Sequence, residues 1–385
     1  MMVSTRLSAD TTVIPVAQSR HIGRRIHRGL RQVWIERAFR KYGKTRPSGY
    51  EVFTDDRSAD GPALRENLPR CDVINLHWVQ GIVDYTDFFS TARAGVPLVW
   101  TLHDMNPFTG GCHYNMGCGN YLRSCGACPQ LGSSNQNDLS AEIWHRKQRI
   151  LSRVNPSGLR IVSPSRWLAD EAKRSPILSR FSVSVIPYGL NLEEFAPRNR
   201  GAIRELLGIP ANAQVVLFVA ERTDNRRKGF AALLEALRRA AQKIPRLLLL
   251  TLGQGQTTME VDVPSIHVGS IDNDRFLSMV YSAADVFVIC SLQDNLPNTV
   301  LESLACGVPV VGVRVGGIPD MIREGTTGLT VDANDPVAIS EGIAALLNNP
   351  ERIAKMKAAC RATAVSEYSL ECQARRYVDL YQSFT

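Results

Sequence analysis

The sequence predicts an α/β protein built from two parallel-sheet domains. Three observations carry that expectation. The chain has 385 residues, too long for one ordinary core and suited to two domains of α/β size. Apolar runs of strand length recur along it, among them Cys71–Trp78 (CDVINLHW), Pro97–Leu102 (PLVWTL) and Val215–Ala220 (VVLFVA). Such runs read as strands covered on both faces, as in parallel sheets. Polar or glycine-rich residues follow them directly, and helix-like segments come next, which is the alternation of doubly wound folds.

Composition narrows the class. A hydrophobic fraction of 44% and a charged fraction of 21% are those of a globular protein. No apolar run approaches the roughly 20 residues that span a bilayer. The start, MMVSTRLSADTTV, lacks the basic opening and apolar core of a signal peptide. A cytoplasmic location is the expectation. Nine cysteines, an odd number, argue against a disulfide framework in such a compartment.

The formal charge of +8 is concentrated. Arg20–Arg46 holds ten Arg or Lys and one acid, Glu36, so the remainder is close to neutral. Ile22, Ile26, Leu30, Val33 and Trp34 recur there at helical spacing. A surface helix docked on its own domain is one reading. An interfacial helix facing an anionic membrane is the other. Nucleic acid is not expected as a partner, because no RNA- or DNA-binding motif accompanies the charge.

In chain order, the first strong strands are those ending in His77-Trp78 and in His103-Asp104, and polar residues just past a buried strand are where α/β sites form. The loop after His103 carries Cys112, Cys118, Cys125 and Cys128 in the spacing C-x5-C-x6-C-x2-C. Four thiols so close together read as a structural zinc site, or as thiols that pack a long loop. A helix is expected from Leu139 to about Val154, with a strand at Arg160–Ser163 and another helix after Ser165, an N-cap type. Val183–Pro187 closes the first domain, and the segment PYGLNLEEFAPRNR reads as the linker. The domains are placed at 1–195 and 196–369, with 370–385 as a terminal helix.

In the second domain, Val215–Ala220 feeds a loop with Arg222, Arg226, Arg227, Lys228 and Gly229, followed by an amphipathic helix. Backbone N–H groups and basic side chains at such a place suit a pyrophosphate. Ser291–Asp320 then reads SLQDNLPNTVLESLACGVPVVGVRVGGIPD. Asp294 and Glu302 flank the start of a helix, and Gly316-Gly317 follow a short strand. The layout is that of a nucleotide-sugar site at the carboxyl ends of parallel strands.

The stretches WTLHDMNPFTGGCHY, CGACPQLGS, SPSRWLADEA, IPYGLNLEEF, RKGFAALLEAL and DNLPNTVLESLACGVPVVGVRVGGIPDMI resemble a family of retaining glycosyltransferases, family 4 of the GT-B fold, in its exopolysaccharide and colanic-acid-like subgroup. The resemblance covers residues 71–335. It implies two Rossmann-like domains facing across a cleft, the acceptor mainly on the first and the nucleotide sugar on the second, and a last helix returning to the first domain. It implies transfer of a hexosyl group from a UDP- or GDP-linked sugar to a polysaccharide or lipid-linked oligosaccharide, at the cytoplasmic or inner membrane face, with no catalytic metal.

Carried over by residue, the resemblance assigns the phosphate-binding lysine to Lys228 and leaves its arginine partner open among Arg222, Arg226 and Arg227. It places the donor sugar near Asp294, where the family has glutamate, and the ribose at Glu302. Asn295, Leu296, Pro297 and Asn298 fall in the same donor motif. His103 contacts the donor sugar or the reacting centre, and the Gly316 and Gly317 amides approach the phosphates. One departure stands out. No apolar strand with a glycine-rich turn is expected before residue 71, although the family opens with one. That leaves two alternatives: a degenerate paralogue that binds without turnover, and a sugar-nucleotide epimerase, which the long cysteine loop disfavours.

Overall fold

The computed structural model describes residues 2–4, 13–15, 22–91, 95–222, 224–255 and 263–384. The chain forms two compact units. The first holds residues up to Pro164 and Leu168–Val185, and the second holds Ser165–Trp167 and Ile186–Ser383.

In the first unit, β1 (Met2–Ser4) and β2 (Val13–Pro15) make a small parallel pair of their own. No apolar strand with a glycine-rich turn was expected before residue 71, and these two strands of three residues each were not singled out. The pair stays apart from the main sheet. α1 (Ile22–Arg40), α2 (Gly61–Asn67), β3 (Ile74–His77), α3 (Tyr85–Thr91) and β4 (Leu98–Thr101) follow. Next come α4 (Leu139–Leu151), β5 (Leu159–Ser163), α5 (Arg166–Arg174) and β6 (Ser182–Val185). The main sheet runs β3-β4-β5-β6 and is wholly parallel. Leu98, Val99 and Trp100 of β4 are buried, as a central parallel strand requires. The start of α4 is set by Asp138, whose carboxylate accepts from the N–H groups of Ser140 and Ala141.

The second unit contains α6 (Arg200–Leu206), β7 (Gln214–Arg222), α7 (Phe230–Ala241), β8 (Leu247–Gln254), β9 (Ser265–His267) and α8 (Asp274–Ala283). It continues with β10 (Val286–Ile289), α9 (Asn298–Ala305), β11 (Val310–Val313), α10 (Ile318–Met321) and β12 (Gly328–Val331). Three helices close it: α11 (Pro336–Leu347), α12 (Pro350–Glu367) and α13 (Leu370–Gln382). Its six strands are parallel in the order β12-β11-β10-β7-β8-β9. From β7 the chain builds outward through β8 and β9, then returns to lay β10 on the other side of β7. The order therefore reverses between β7 and β10, and a reversal opens a crevice at the carboxyl ends of those two strands.

The segment read as a linker is packed within the second unit. Leu190 N–H donates to the Tyr368 carbonyl (2.8 Å), and the Arg361 guanidinium donates to the carbonyls of Leu192 and Phe195. Among the described residues, no helix is long and apolar enough to cross a membrane.

One buried charge ties the base of the second sheet together. Arg204 of α6, 3% exposed, donates to the carbonyls of Ala283 (2.9 Å) and Ala213 (2.8 Å) and to the Asp285 carboxylate (2.8 Å). Asp285 also accepts the Val215 N–H at 2.8 Å, at the start of the β7 ladder. Arg204→Ala would strand two carbonyls and weaken the hold on a carboxylate. Removing one partner of such a buried pair costs about 3–5 kcal/mol. A urea titration should show a loss of that size, and an unchanged midpoint would refute this role.

Candidate functional site

The reversal between β7 and β10 brings two loops together. The loop after β7 ends in a single 3-10 turn, Arg226–Lys228, and Gly229, and the loop after β10 runs from Cys290 to Pro297. They interlock through their backbones. The Leu292 N–H donates to the Arg227 carbonyl at 2.7 Å, and the Arg227 guanidinium donates to the Gln293 carbonyl at 2.9 Å. Gly229 has φ +72, and a Cβ there would lie 1.8 Å from the Cys290 carbonyl oxygen. Only glycine lets the two loops approach so closely.

Asp294 lies at the centre of the contact and is 5% exposed. Its Oδ2 accepts from Lys228 Nζ (2.7 Å) and Ser291 Oγ (3.2 Å), and Arg227 reaches it at 3.1 Å. Burial pushes this carboxyl up. The charges of Lys228 and Arg227 and the bonds from Lys228 and Ser291 outweigh burial, and hold it below its ordinary 3.8. The open choice of arginine partner now narrows by position. Arg227 is buried against Asp294, Arg226 is exposed, and Arg222 is exposed and paired with Asp224 at 2.7 Å. The structure does not bring Arg222 to Asp294.

Glu302 lies one turn into α9. Tyr281 Oη of α8 donates to its Oε2 at 2.7 Å. Burial, with a smaller push from Asp274, raises its carboxyl to about 7, against the pull of the Tyr281 hydrogen bond. Near neutrality it therefore carries a proton for much of the time.

Gly316 and Gly317 take a different part from the one expected. A Cβ on Gly316 (φ +59) would lie 1.9 Å from the Asp294 carbonyl oxygen, and one on Gly317 would lie 1.8 Å from that of Asn295. The Gly317 N–H already donates to the Asp294 carbonyl at 3.0 Å. The pair clamps the Asp294 loop by close approach. Its second amide is therefore spent on the protein rather than offered to a phosphate.

The rest of the donor motif divides by burial. Leu296 belongs to the hydrophobic core. The buried Asn295 accepts from Ser165 Oγ at 2.6 Å. Pro297 and the exposed Asn298 open α9.

His103 lies in the first unit, after β4. Its Nε2 is 3.0 Å from Nδ1 of His77, which ends β3. Burial lowers both imidazoles, that of His77 to about 4 with help from the neighbouring ring. Two neutral rings can share one proton in a hydrogen bond, whereas two cations cannot.

Beside them, sequence reasoning missed a second set. His113 Nδ1 meets Asp104 Oδ2 at 2.7 Å and its Nε2 meets Thr54 Oγ1 at 3.0 Å. Lys147, fully buried, donates to the carbonyls of Asn106 (2.6 Å) and Thr109 (3.1 Å) and holds the turn between them. Trp78 takes φ +39, a strain of about 1–3 kcal/mol for a bulky residue. Tyr281 and Ser291 were missed in the second unit. None of these follows a motif, although HDMNPFTGGCHY did mark the loop.

Cys112, Cys118, Cys125 and Cys128 line one small cavity of about 20 Å3 with Phe53 and Tyr121. Burial pushes the Cys112 thiol up to about 12 and raises Cys125 and Cys128 as well. Among the described residues, no group of three or more His, Cys, Asp or Glu is placed to hold a metal ion.

Comparison with known proteins supports this fold. Residues 213–349 match the family described as glycosyl transferases group 1. The chain is 28% identical over 331 residues to a D-inositol 3-phosphate glycosyltransferase of Thermobispora bispora, covering 81% of this chain and 70% of that one. It is 27% identical over 340 residues to an alpha-maltose-1-phosphate synthase of Mycolicibacterium smegmatis, covering 82% and 80%. The sucrose-phosphate synthase of Thermosynechococcus elongatus shares the fold with a TM-score of 0.62 at 21% identity, over 96% of this chain and 82% of that one. An Anabaena protein, HepE, solved with UDP, shares it with a TM-score of 0.58 at 16% identity, over 81% and 79%.

The central ion pair yields a test. Asp294 is held below its ordinary value, so the pair contributes stability above pH 3.8 that is lost as pH falls through the folded value. Asp294→Asn removes the counter-charge of the buried Arg227 and the half-buried Lys228 and should cost about 3 kcal/mol at neutral pH. Its stability should also fall less steeply below pH 4 than that of the unaltered chain. Parallel pH–stability curves for the two proteins would remove Asp294 as the holder of Lys228 and Arg227.

Proposed function

We propose that this chain, a glycosyltransferase of the GT-B type, moves a hexosyl group from a UDP- or GDP-linked sugar to a glycan or lipid-linked glycan, with retention of anomeric configuration. The observation that carries the reading is the meeting of Lys228, Arg227 and Asp294 where the strand order reverses, with Glu302 one turn into the helix that follows. UDP is favoured over GDP because the HepE neighbour was solved with UDP and with UDP-glucose. The names of the curated relatives point to polyhydroxylated, phosphorylated acceptors as the class to try first.

Each residue then has a task. A diphosphate arriving at the reversal meets Lys228 and Arg227 already fixed by Asp294. An ammonium carries three protons, and Asp294 takes one of those on Lys228. As the sugar–phosphate bond breaks, charge grows on the departing diphosphate, and fixed cations in a poorly hydrated crevice stabilise it without reorganising. The acceptor hydroxyl attacks from the same face, and its proton passes to the departing phosphate. Glu302 takes the ribose hydroxyls on the carboxylate oxygen that Tyr281 leaves open. His103 belongs with the acceptor half. No metal enters these steps. A structural zinc in the cysteine cavity is a separate part of the proposal, and ligation at about 2.3 Å requires the thiols to close inward.

The raised Glu302 carboxyl gives this reading a pH signature. Its folded value of about 7 exceeds the ordinary 4.5. Without ligand, the group therefore stabilises the fold most below pH 4.5, and that contribution is lost as pH rises to about 7. Accepting two ribose hydroxyls requires the ionised form. UDP affinity measured by calorimetry should accordingly rise as pH passes upward through about 7. Glu302→Gln should flatten that rise, and Glu302→Ala should weaken UDP about tenfold, the scale of one charge-assisted hydrogen bond. UDP binding that is independent of pH and of Glu302 would overturn the site.

A second element concerns where the acceptor is met. α1 exposes Ile26, Leu30, Val33 and Trp34. Arg28 and Arg31 anchor the helix through Asp60 and Asp84, while Arg25, Arg37 and Arg40 remain exposed. Exposed apolar groups among arginines suit the surface of an anionic membrane. The chain should co-sediment with anionic vesicles at low salt, be released at high salt, and ignore neutral vesicles. Replacing Leu30 and Trp34 by Ser should abolish sedimentation, and retention by that variant would exclude α1 as the contact.

A further inference from the structure

One side chain of the first unit is both strained and left in water. Trp78 follows β3 with φ +39, where a bulky L residue is an outlier. The side chain gains little from burial in return, being 51% exposed. Its ring rests on that of His113, with centroids 5.1 Å apart and planes at 35°. His113 is buried and pinned by Asp104 and by Thr54. The indole is therefore braced by a ring that cannot turn away. The imidazole of His77, the preceding residue, is joined to that of His103 at 3.0 Å. All of this lies past the carboxyl ends of β3 and β4, the end of a parallel sheet at which α/β sites form.

We propose that Trp78 is the platform on which a sugar ring of the acceptor stacks, with His77 and His103 reading the hydroxyls at its rim. The inference rests on the glycosyltransferase reading and deepens it. A pyranose presents C–H bonds on its face and hydroxyls around its edge. The complement to that is an exposed aromatic face beside groups that both donate and accept, and neutral imidazoles do both. A purely apolar ligand would gain nothing from the histidine pair. Among the described residues, the two rings offer a phosphate no fixed cation, because desolvation keeps both neutral. The unfavourable φ fits the same account, since strain at a site is retained where it aims a group for use.

The test uses the full chain with UDP present and three probes: the methyl α-glycosides of glucose, galactose and mannose. Saturation-transfer NMR should show transfer to the ring C–H protons of at least one. Trp78→Ala should reduce the transfer at least tenfold, and Trp78→Phe should keep a measurable part. Trp78→Gly separates strain from use, because glycine accepts φ +39 at no cost. That variant should melt at or above the temperature of the unaltered protein and still lose the sugar. Equal transfer from Trp78→Ala overturns the proposal. So does a Trp78→Gly chain that melts well below the unaltered protein yet binds sugar normally, since the indole is then structural. Where the alanine variant fails to fold, the phenylalanine variant is the test: reduced but measurable transfer supports the platform, and transfer equal to that of the unaltered chain overturns it. Donor hydrolysis by the unaltered chain is recorded alongside. A chain that hydrolyses UDP-glucose but transfers no saturation to any probe defeats the platform alone. A chain that neither binds nor hydrolyses any nucleotide sugar defeats the transferase reading beneath it.

Discussion

The second unit depends on one buried carboxylate. Asp294 sits between Lys228 and Arg227, and it neutralises charge that would be costly to hold there unpaired. The pair in turn dictates the backbone. To bring the loop after β10 onto the loop after β7, glycines are needed on both sides of the contact: Gly229 against the Cys290 carbonyl, and Gly316 and Gly317 against those of Asp294 and Asn295. Three glycines and three ionised groups thus form one unit. A Cβ at any of the three glycines would displace one of those carbonyls.

That arrangement also explains why Asp294 and Glu302, two carboxyls on one motif, behave in opposite ways. Both are desolvated. Asp294 faces two cations, which outweigh desolvation and keep it ionised. Glu302 faces only the Tyr281 hydroxyl, a weaker counterweight, and its carboxyl rises to about 7. One group is a fixed negative charge that holds other residues. The other is a group whose proton a ligand can displace. Environment, rather than residue type, assigns the two roles.

Much of this was legible from sequence, and the boundary of legibility is physical. Val215–Ala220 could be read because strand burial is local, whereas Lys228 and Glu302 were singled out by loop chemistry and by the spacing of the family resemblance. The choice of Arg227 over Arg222 could not be made. It depends on which side chain the last turn before Gly229 directs inward, and consecutive arginines look alike in a string. The close approach of Gly316 and Gly317 to the Asp294 and Asn295 carbonyls could not be read, since it is a tertiary fact. Trp78 was visible only as the end of a strand. Its positive φ and its contact with His113 arise from a loop more than thirty residues downstream, and no local pattern encodes them. The strands at Met2–Ser4 and Val13–Pro15 are too short for periodicity to register.

The two sheets shape the carboxyl ends of their strands by different means. In the second, the order β12-β11-β10-β7-β8-β9 reverses at its centre, so topology alone creates a crevice and the side chains need only line it. In the first, the described main-sheet strands run in simple sequence, β3-β4-β5-β6, and no reversal separates their loops. Any site there must be shaped by the loops themselves. That requirement accounts for what the first unit buries. Lys147 is committed to two loop carbonyls, His113 is locked between Asp104 and Thr54, and four cysteines are gathered in the same loop around one cavity. These are costly groups to remove from water. They are placed where a rigid surface must be made from irregular chain, and Trp78 is the exposed group that this rigidity holds in place.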